Sequence, residues 1–196
     1  NWPGEDTPGN WPAYNGTLAG DRFSPRAEGT VGNVRGLREG CAVEIPDGRS
    51  FQSGPIAIDG TIFVTTDTST FAIDGATCAV KWKHTHSYKP PSFLGANRGA
   101  AYLDGRLFRG SGDGHVFAID ARNGASLWDV AIGDPGKGES IPMAPLAWNG
   151  MVVVGNAGGG CFGVTGRVGA LVAAGGHVVW PCDSAPKSGS HVQSRG

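Results

Sequence analysis

The segment Ala118-Ile119-Asp120-Ala121-Arg122-Asn123-Gly124, with Trp128 eight positions after Asp120, is one of three similar passages. Ala72-Ile73-Asp74-Gly75-Ala76-Thr77-Cys78 leads to Trp82, and Ala170-Leu171-Val172-Ala173-Ala174-Gly175-Gly176 leads to Trp180. In each, the third residue precedes the Trp by the same eight positions, and the passages recur at roughly 45–50 residues, the length of a repeat unit built of short strands. Upstream of each lies a dipeptide, Asp59-Gly60, Asp104-Gly105 or Asn149-Gly150, set between two short apolar runs. That pairing is the strongest local sign of a two-residue hairpin. One unit therefore reads as strand, tight turn, strand, Ala-x-Asp strand, turn, Trp strand. Four strands in such a length make a propeller blade, which must stack on neighbours to bury both faces. A recurring indole at a strand end is a large apolar plate suited to that stacking. The competing reading is a two-layer sandwich with coincidental Trp spacing.

Composition agrees with turn-rich all-β structure. The chain has 196 residues, 39% hydrophobic and 17% charged, which excludes a disordered polyelectrolyte. Gly 34 and Pro 13 sit between short apolar runs such as Ile62–Val64 and Met151–Val154, and no long helical pattern is found. The formal net charge is −1 and Lys/Arg form no runs, so neither nucleic acid nor an anionic membrane surface is an expected partner. No apolar run approaches the length of a membrane span. The first residue is Asn1, and the polar stretch after Asp183 closes no pattern, so a processed chain or a fragment is expected. The expected division is residues 1–50 as an N-terminal segment with the first strands, 51–95, 96–140 and 141–182 as three blades, and 183–196 as a tail. Three blades do not close a ring, and closure is what removes exposed edges in such folds.

Several motifs in order carry a family resemblance. They are Asn10-Trp11-Pro12-Ala13-Tyr14-Asn15-Gly16 through Arg22-Phe23-Ser24-Pro25, then Asn33-Val34 and Leu37, then Ser50-Phe51-Gln52-Ser53-Gly54-Pro55. Asn97-Arg98-Gly99-Ala100-Ala101-Tyr102, Gly155-Asn156-Ala157-Gly158-Gly159 and Phe162-Gly163-Val164-Thr165-Gly166 follow. Together with the Ala-x-Asp-x-x-x-Gly-x-x-x-Trp repeat, they resemble the pyrroloquinoline-quinone (PQQ) dependent dehydrogenases, whose catalytic domain is an eight-bladed propeller. The first unit departs from the repeat with Cys78 at the Gly position. The third departs with Val172 at the Asp position and Gly175 just before Gly176, which predicts a looser corner there.

The resemblance implies a bacterial, periplasmic enzyme that oxidises an alcohol by hydride transfer to the quinone and passes electrons to an acceptor. It implies PQQ and calcium as cofactors. Arg98 would hold cofactor oxygens, a role suited to a planar guanidinium facing a tricarboxylated ring. Gln52 stands where the family carries a cofactor contact, and its amide can donate and accept; the alternative is a satisfied polar side chain near the channel. Gly158 and Gly159 would let backbone approach a planar ligand, or else form a turn without one. No Gly-Lys-Ser/Thr follows, so this is not a nucleotide loop. Gly160 stands where the family places a calcium-binding acid, and Pro142 where relatives often carry Thr or Ser. Both departures count against a normal cofactor site, since calcium needs hard oxygen ligands. The family's general-base Asp and ring-stacking Trp belong to later blades. No catalytic and no metal-binding residue is therefore assigned in this chain, and the chain alone is expected to be inactive. The alternative function is a non-catalytic scaffold of the outer-membrane assembly lipoprotein type.

Some relatives pair cysteines where Cys41 and Cys78 lie, a bond suited to an oxidising compartment. Cys161 and Cys182 read as free thiols. His84 and His86 alternate, so they share one strand face, but no third metal ligand is evident; a solvated strand end is the expectation. Asn15-Gly16-Thr17 fits a sequon and is read as a turn.

Overall fold

The computed structural model describes residues 9–17, 19–24, 26–46, 50–88, 95–158 and 163–184. Fourteen strands are found among the described residues, and the helical elements there are two single 3-10 turns, Val34–Gly36 and Pro135–Lys137. Twelve of the strands form three four-stranded antiparallel sheets in simple sequence order. The first holds β2 (Ile56–Ile58), β3 (Thr61–Thr65), β4 (Ser69–Asp74) and β5 (Val80–Thr85). The second holds β7 (Ala101–Leu103), β8 (Arg106–Gly110), β9 (His115–Asp120) and β10 (Ser126–Ala131). The third holds β11 (Leu146–Trp148), β12 (Met151–Gly155), β13 (Arg167–Val172) and β14 (Val178–Asp183). The remaining two, β1 (Ser50–Gly54) and β6 (Ala96–Gly99), pair parallel to each other just before the first and second sheets. This is the blade order read from the repeat.

The opening hairpins use the turn their dipeptides favour. Asp59 and Gly60 have φ of 47° and 75°, Asp104 and Gly105 49° and 77°, and Asn149 and Gly150 47° and 75°. Two successive left-handed residues twist the flanking strands into register, which Asp-Gly and Asn-Gly tolerate best.

The three corners between third and fourth strands also share one backbone design. The N–H of Cys78, Gly124 and Gly176 donates to the carbonyl of Asp74, Asp120 and Val172, at 2.9, 2.9 and 2.8 Å. In the first two corners the Asp carboxylate also accepts from the turn, from Ala76 and Thr77 N–H in one and from Arg122 N–H in the other. Val172 has no such acceptor, yet its corner keeps the same turn. The expected loosening is not seen, because the main-chain hydrogen bonds and the left-handed Gly176 (φ 74°) suffice.

Side-chain alternation sorts the core into layers. Phe71 and Ile73 of β4 pack with Val64, Val43 and Ile45 on the outer face of the first sheet. Ala72 and Phe63 face Leu107, Phe117 and Ile119 of the second sheet. Phe108, Val116 and Ala118 face Val152, Val154 and Leu171 of the third. The second sheet is thus covered on both sides, which explains the nearly unbroken apolar run Val116–Ile119.

The indoles join the sheets as plates. Trp82 donates its Nε1–H to the Ala121 carbonyl at 3.1 Å, and Trp128 donates to the Ala173 carbonyl at 2.9 Å. Each lies on the corner glycine of the next sheet: a Cβ at Gly124 would stand 2.8 Å from the Trp82 ring, and one at Gly176 2.8 Å from the Trp128 ring. Trp180 occupies the same place in the third sheet and is 41% exposed. A strap from the N-terminal segment crosses the first two sheets, with Trp11 exchanging both main-chain hydrogen bonds with Ala57 and the Pro12 carbonyl accepting from Tyr102 N–H. Within that segment, Asn15-Gly16-Thr17 is a turn, with Gly16 N–H donating to the Ala13 carbonyl.

Cys41 and Cys78 form a disulfide, and the Cys182 thiol is free and exposed. Gly159, Gly160, Cys161 and Phe162, with Phe93, Leu94, Pro25 and the tail beyond Ser184, lie outside the described residues.

Candidate functional site

The residues singled out for cofactor contact fall along a line of backbone at one end of the sheets. β1 and β6 pair with Phe51 opposite Asn97 and Gly54 opposite Gly99. Gln52 and Arg98 each follow that first pair by one residue, so they stand on neighbouring strands, and both are exposed. Arg98 N–H donates to the Pro142 carbonyl at 2.8 Å, and Ala157 bridges to Ser140 through a 2.7 Å hydrogen bond. The strands of Gln52 and Arg98, the Ser140–Pro142 segment and the chain entering Gly158 are therefore hydrogen-bonded in succession.

What fixes this line is a set of buried polar groups. Asn97 is almost wholly buried; its Oδ1 accepts from Thr65 Oγ1 at 2.6 Å and from Gly99 N–H at 2.9 Å, while Nδ2 donates to the Gly110 carbonyl at 2.9 Å. Since the Thr65 hydroxyl proton goes to Asn97, the Ser53 hydroxyl donates to Thr65 Oγ1, 3.0 Å away. This chain ties β1 to the end of β8 through both sheets. Gly110 permits the next contact: a Cβ there would overlap the Ile141 carbonyl, and this close approach places the adjoining Pro142 at Arg98. Pro142 serves through its carbonyl, which proline retains. Gly99, at φ 132°, brings β6 so near β1 that a Cβ would stand 2.8 Å from the Gly54 carbonyl. Gly158, at φ 111°, is pressed against the Gly138 carbonyl in the same way, at 2.7 Å. The fold itself thus requires glycine at 158.

Arg98 is held differently from its neighbours. Its main chain is locked, yet among the described residues no hydrogen-bond or ion-pair partner meets its guanidinium. A rigidly mounted cation beside an amide side chain suits a planar polyanion, because little ordering remains to be done on binding. Glu139, next to the Gly138 that lies against Gly158, is buried and bonded to Arg167 and to Asp134 N–H. It is not free to serve a cation.

Residues 11–196 match the sequence profile of the PQQ family described as glucose/ethanol/alcohol dehydrogenase, beta-propeller domain. The chain belongs to the PQQ-dependent dehydrogenase propeller family. The chain is 35% identical over 198 residues to the dehydrogenase subunit of a quinone alcohol dehydrogenase from Komagataeibacter europaeus, covering 93% of the chain and 26% of that protein. It is 34% identical over 185 residues to the lanthanide-dependent methanol dehydrogenase of Methylacidiphilum fumariolicum (strain SolV), covering 90% of the chain and 30% of that protein. Among solved structures, a europium-containing methanol dehydrogenase superposes with a TM-score of 0.87 at 32% identity, over 94% of the chain and 33% of that structure. The chain thus spans about a quarter to a third of the length of these relatives.

Two groups of residues were not legible in the sequence of this propeller-family chain. Arg109, on β8, is fully buried and reaches across to the first sheet. Its guanidinium donates to the carbonyls of Ser69 (2.6 Å), Thr66 (2.9 Å) and Asp67 (2.9 Å) and to Thr70 Oγ1 (3.1 Å), and it lies over the Phe117 ring. Burial pushes it down to about 10, so it stays charged at neutral pH. The second group surrounds His86. The expected solvated strand end is not what the structure shows. His84 is half-buried with Nδ1 2.9 Å from the Gly124 carbonyl, and burial lowers its pKa. His86 stacks near Phe117 and meets Asp113. Burial would raise Asp113, but hydrogen bonds from Ser111 and His86 and the charge of His86 and His115 outweigh it, leaving its carboxyl below the ordinary value. The sequence signal for this group was the alternation of His84 and His86 alone.

Proposed function

We propose that this chain supplies part of the cofactor cradle of a PQQ-dependent dehydrogenase that oxidises an alcohol-type substrate. The observation that carries the reading is Arg98, whose main chain is fixed by Asn97, Pro142 and β1 while its guanidinium faces outward unpaired among the described residues. Arg98 would pair with carboxylate and carbonyl oxygens of the quinone, and Gln52 would add one amide hydrogen bond. The Gly158 backbone, with Gly159 after it, would close the cradle. When bound, PQQ supplies the electrophile that accepts hydride from the alcohol carbon. The residues of this chain bind and orient; general-base and ring-stacking functions belong to segments beyond these three sheets. A cation beside the cofactor would need oxygen ligands that Glu139, committed to Arg167, and Gly160, without a side chain, do not offer. Electron transfer to a protein or small-molecule acceptor and a periplasmic location complete the reading, the latter supported by the Cys41–Cys78 disulfide.

The test is a PQQ titration of the intact protein followed by spectroscopy, with dye-coupled alcohol oxidation as the second readout. Arg98→Gln is expected to weaken PQQ binding roughly 10- to 100-fold, the worth of a lost charge-assisted pair. Unchanged PQQ affinity in that variant would remove the proposal. The 196-residue chain by itself is expected to give no turnover with PQQ and Ca²⁺.

A further inference from the structure

At the junction of the first and second sheets, outward from the β1–β6 pair, four side chains from different elements form a box. His86 follows β5, Asp113 lies in the turn between β8 and β9, His115 opens β9, and Asp129 belongs to β10. His115 Nδ1 is 2.6 Å from Asp129 Oδ1, and His86 Nδ1 is 3.8 Å from Asp129 Oδ2. On the other side, His86 Nε2 is 3.1 Å from Asp113 Oδ2, and His115 Nε2 is 3.9 Å from the same oxygen. The two imidazole centroids are 5.3 Å apart. One donor atom each from His86, His115 and Asp129 can be chosen so that all lie within 4.8 Å of one another.

We propose that His86, His115 and Asp129 bind a divalent transition-metal ion, Zn²⁺ being the ion this donor set suits best, and that the ion pins the outer strand of the first sheet to the second. Two imidazoles and one carboxylate favour a borderline cation over Ca²⁺ or Mg²⁺, which take oxygen ligands. Tetrahedral zinc holds ligand atoms at about 2.0–2.2 Å, and so about 3.4 Å from one another. The widest pair must close by an ångström or so and the His115 Nδ1–Asp129 Oδ1 pair, now 2.6 Å apart, must open by nearly as much, and Asp129, with a side chain 41% exposed, is the member able to move. The fourth position opens to water on that side.

The surrounding groups are arranged for this. His86 gives its Nε2–H to Asp113, which leaves the Nδ1 lone pair directed to the Asp129 side. Asp113 is itself held by the Ser111 hydroxyl. A carboxylate behind a ligating histidine fixes tautomer and ring orientation and raises ligand basicity. Phe117 lies beneath His86, with centroids 5.0 Å apart, and keeps the ring from swinging inward. Without metal, the His115 Nδ1 proton bridges to Asp129. On binding, that proton moves to Nε2, which lies 3.9 Å from Asp113 Oδ2 and comes within hydrogen-bond reach of it only if the ring turns toward Asp113.

The experiment uses the intact, tag-free protein with Ca²⁺ in excess, so that oxygen-rich sites are filled, and titrates Zn²⁺ calorimetrically and Co²⁺ by visible absorption. One equivalent of Zn²⁺ should bind and raise the melting temperature, and Co²⁺ should give the intense ligand-field bands of a four-coordinate site. Asp113→Asn should weaken Zn²⁺ binding about 10- to 100-fold, and Asp129→Asn should do so at least as strongly. The double variant His86→Gln/His115→Gln should lose the Co²⁺ bands. Should the double variant fail to fold, Asp129→Asn, a change at a half-exposed carboxylate, decides. Absence of a bound equivalent of Zn²⁺, or wild-type affinity in Asp129→Asn, would overturn the site.

Discussion

Gly124 and Gly176 each answer two demands at once, a left-handed backbone (φ 76° and 74°) and an indole within 2.8 Å of the missing Cβ. Gly124→Ala or Gly176→Ala is therefore expected to cost about 2–4 kcal/mol, the sum of left-handed strain and a displaced ring. Chemical denaturation measures it, and a loss below about 0.5 kcal/mol, the range of ordinary surface substitutions, would contradict the packing described. Arg109 makes a second demand of this kind. Three of its contacts to the Thr66–Thr70 segment satisfy main-chain carbonyls of buried residues, and the fourth is to the Thr70 hydroxyl. Arg109→Met would fill the space but leave the Thr66 and Asp67 carbonyls without this donor, while the Ser69 carbonyl keeps the Thr66 N–H, a cost of about 3 kcal/mol. The shape-matched replacement distinguishes this from lost packing: if Met were tolerated, the hydrogen bonds would be dispensable.

Between elements, the indole is both plate and donor. Trp82→Phe and Trp128→Phe keep most of the plate and lose the hydrogen bond to Ala121 or Ala173, so each should cost about 1–2 kcal/mol. Trp180→Phe in the same 196-residue chain should fall within about 0.5 kcal/mol, since no corner of a next sheet lies under it among the described residues. Comparing the three melts tests whether the repeat is mechanical or merely similar in wording. The strands, the hairpin turns and the indole spacing were legible in the sequence because each depends on residues a few positions apart: Asp59-Gly60 sets its own turn, and Trp128 lies a fixed offset from Asp120. The third corner was misjudged because Val172 removes a side-chain acceptor while the main chain carries the turn. Arg109 was hidden for a different reason. In Leu107-Phe108-Arg109 a polar third residue looks solvent-facing, and only the stacking of two sheets shows that this side is interior. The His86 box was half legible: alternation put His84 and His86 on one face, but Asp113, His115 and Asp129 arrive from other elements. Of the candidate cofactor residues, Arg98 was singled out by its Asn-Arg-Gly setting, whereas the work of Asn97, tying Thr65 to Gly110, depends on contacts across sheets.

For the molecule as a whole, two bonds with distinct chemistry set the response to solvent. The Cys41–Cys78 disulfide closes a loop with a sequence separation of 37, so its reduction should lower stability by about 2–4 kcal/mol, read from urea melts with and without reductant. At acid pH the corner carboxylates matter. Hydrogen bonding from the Arg122 side chain and main chain holds Asp120 at about 2, below the ordinary 3.8. Because the folded value is the lower one, this contribution is complete above pH 4 and is lost as the pH falls toward 2. Arg122→Ala should move the acid unfolding midpoint upward, and an unmoved midpoint would count against the pair. The same disulfide also gives the array of blades a direction. Where the second and third corners set a bare glycine under an indole, the first carries Cys78, bonded to Cys41. An indole seated on the first corner would meet a side chain and its cystine rather than a bare glycine, so that joint differs in chemistry from the other two. Any circle built from these units must be completed by a seam of unlike chemistry, so its rotational symmetry is broken at the cystine.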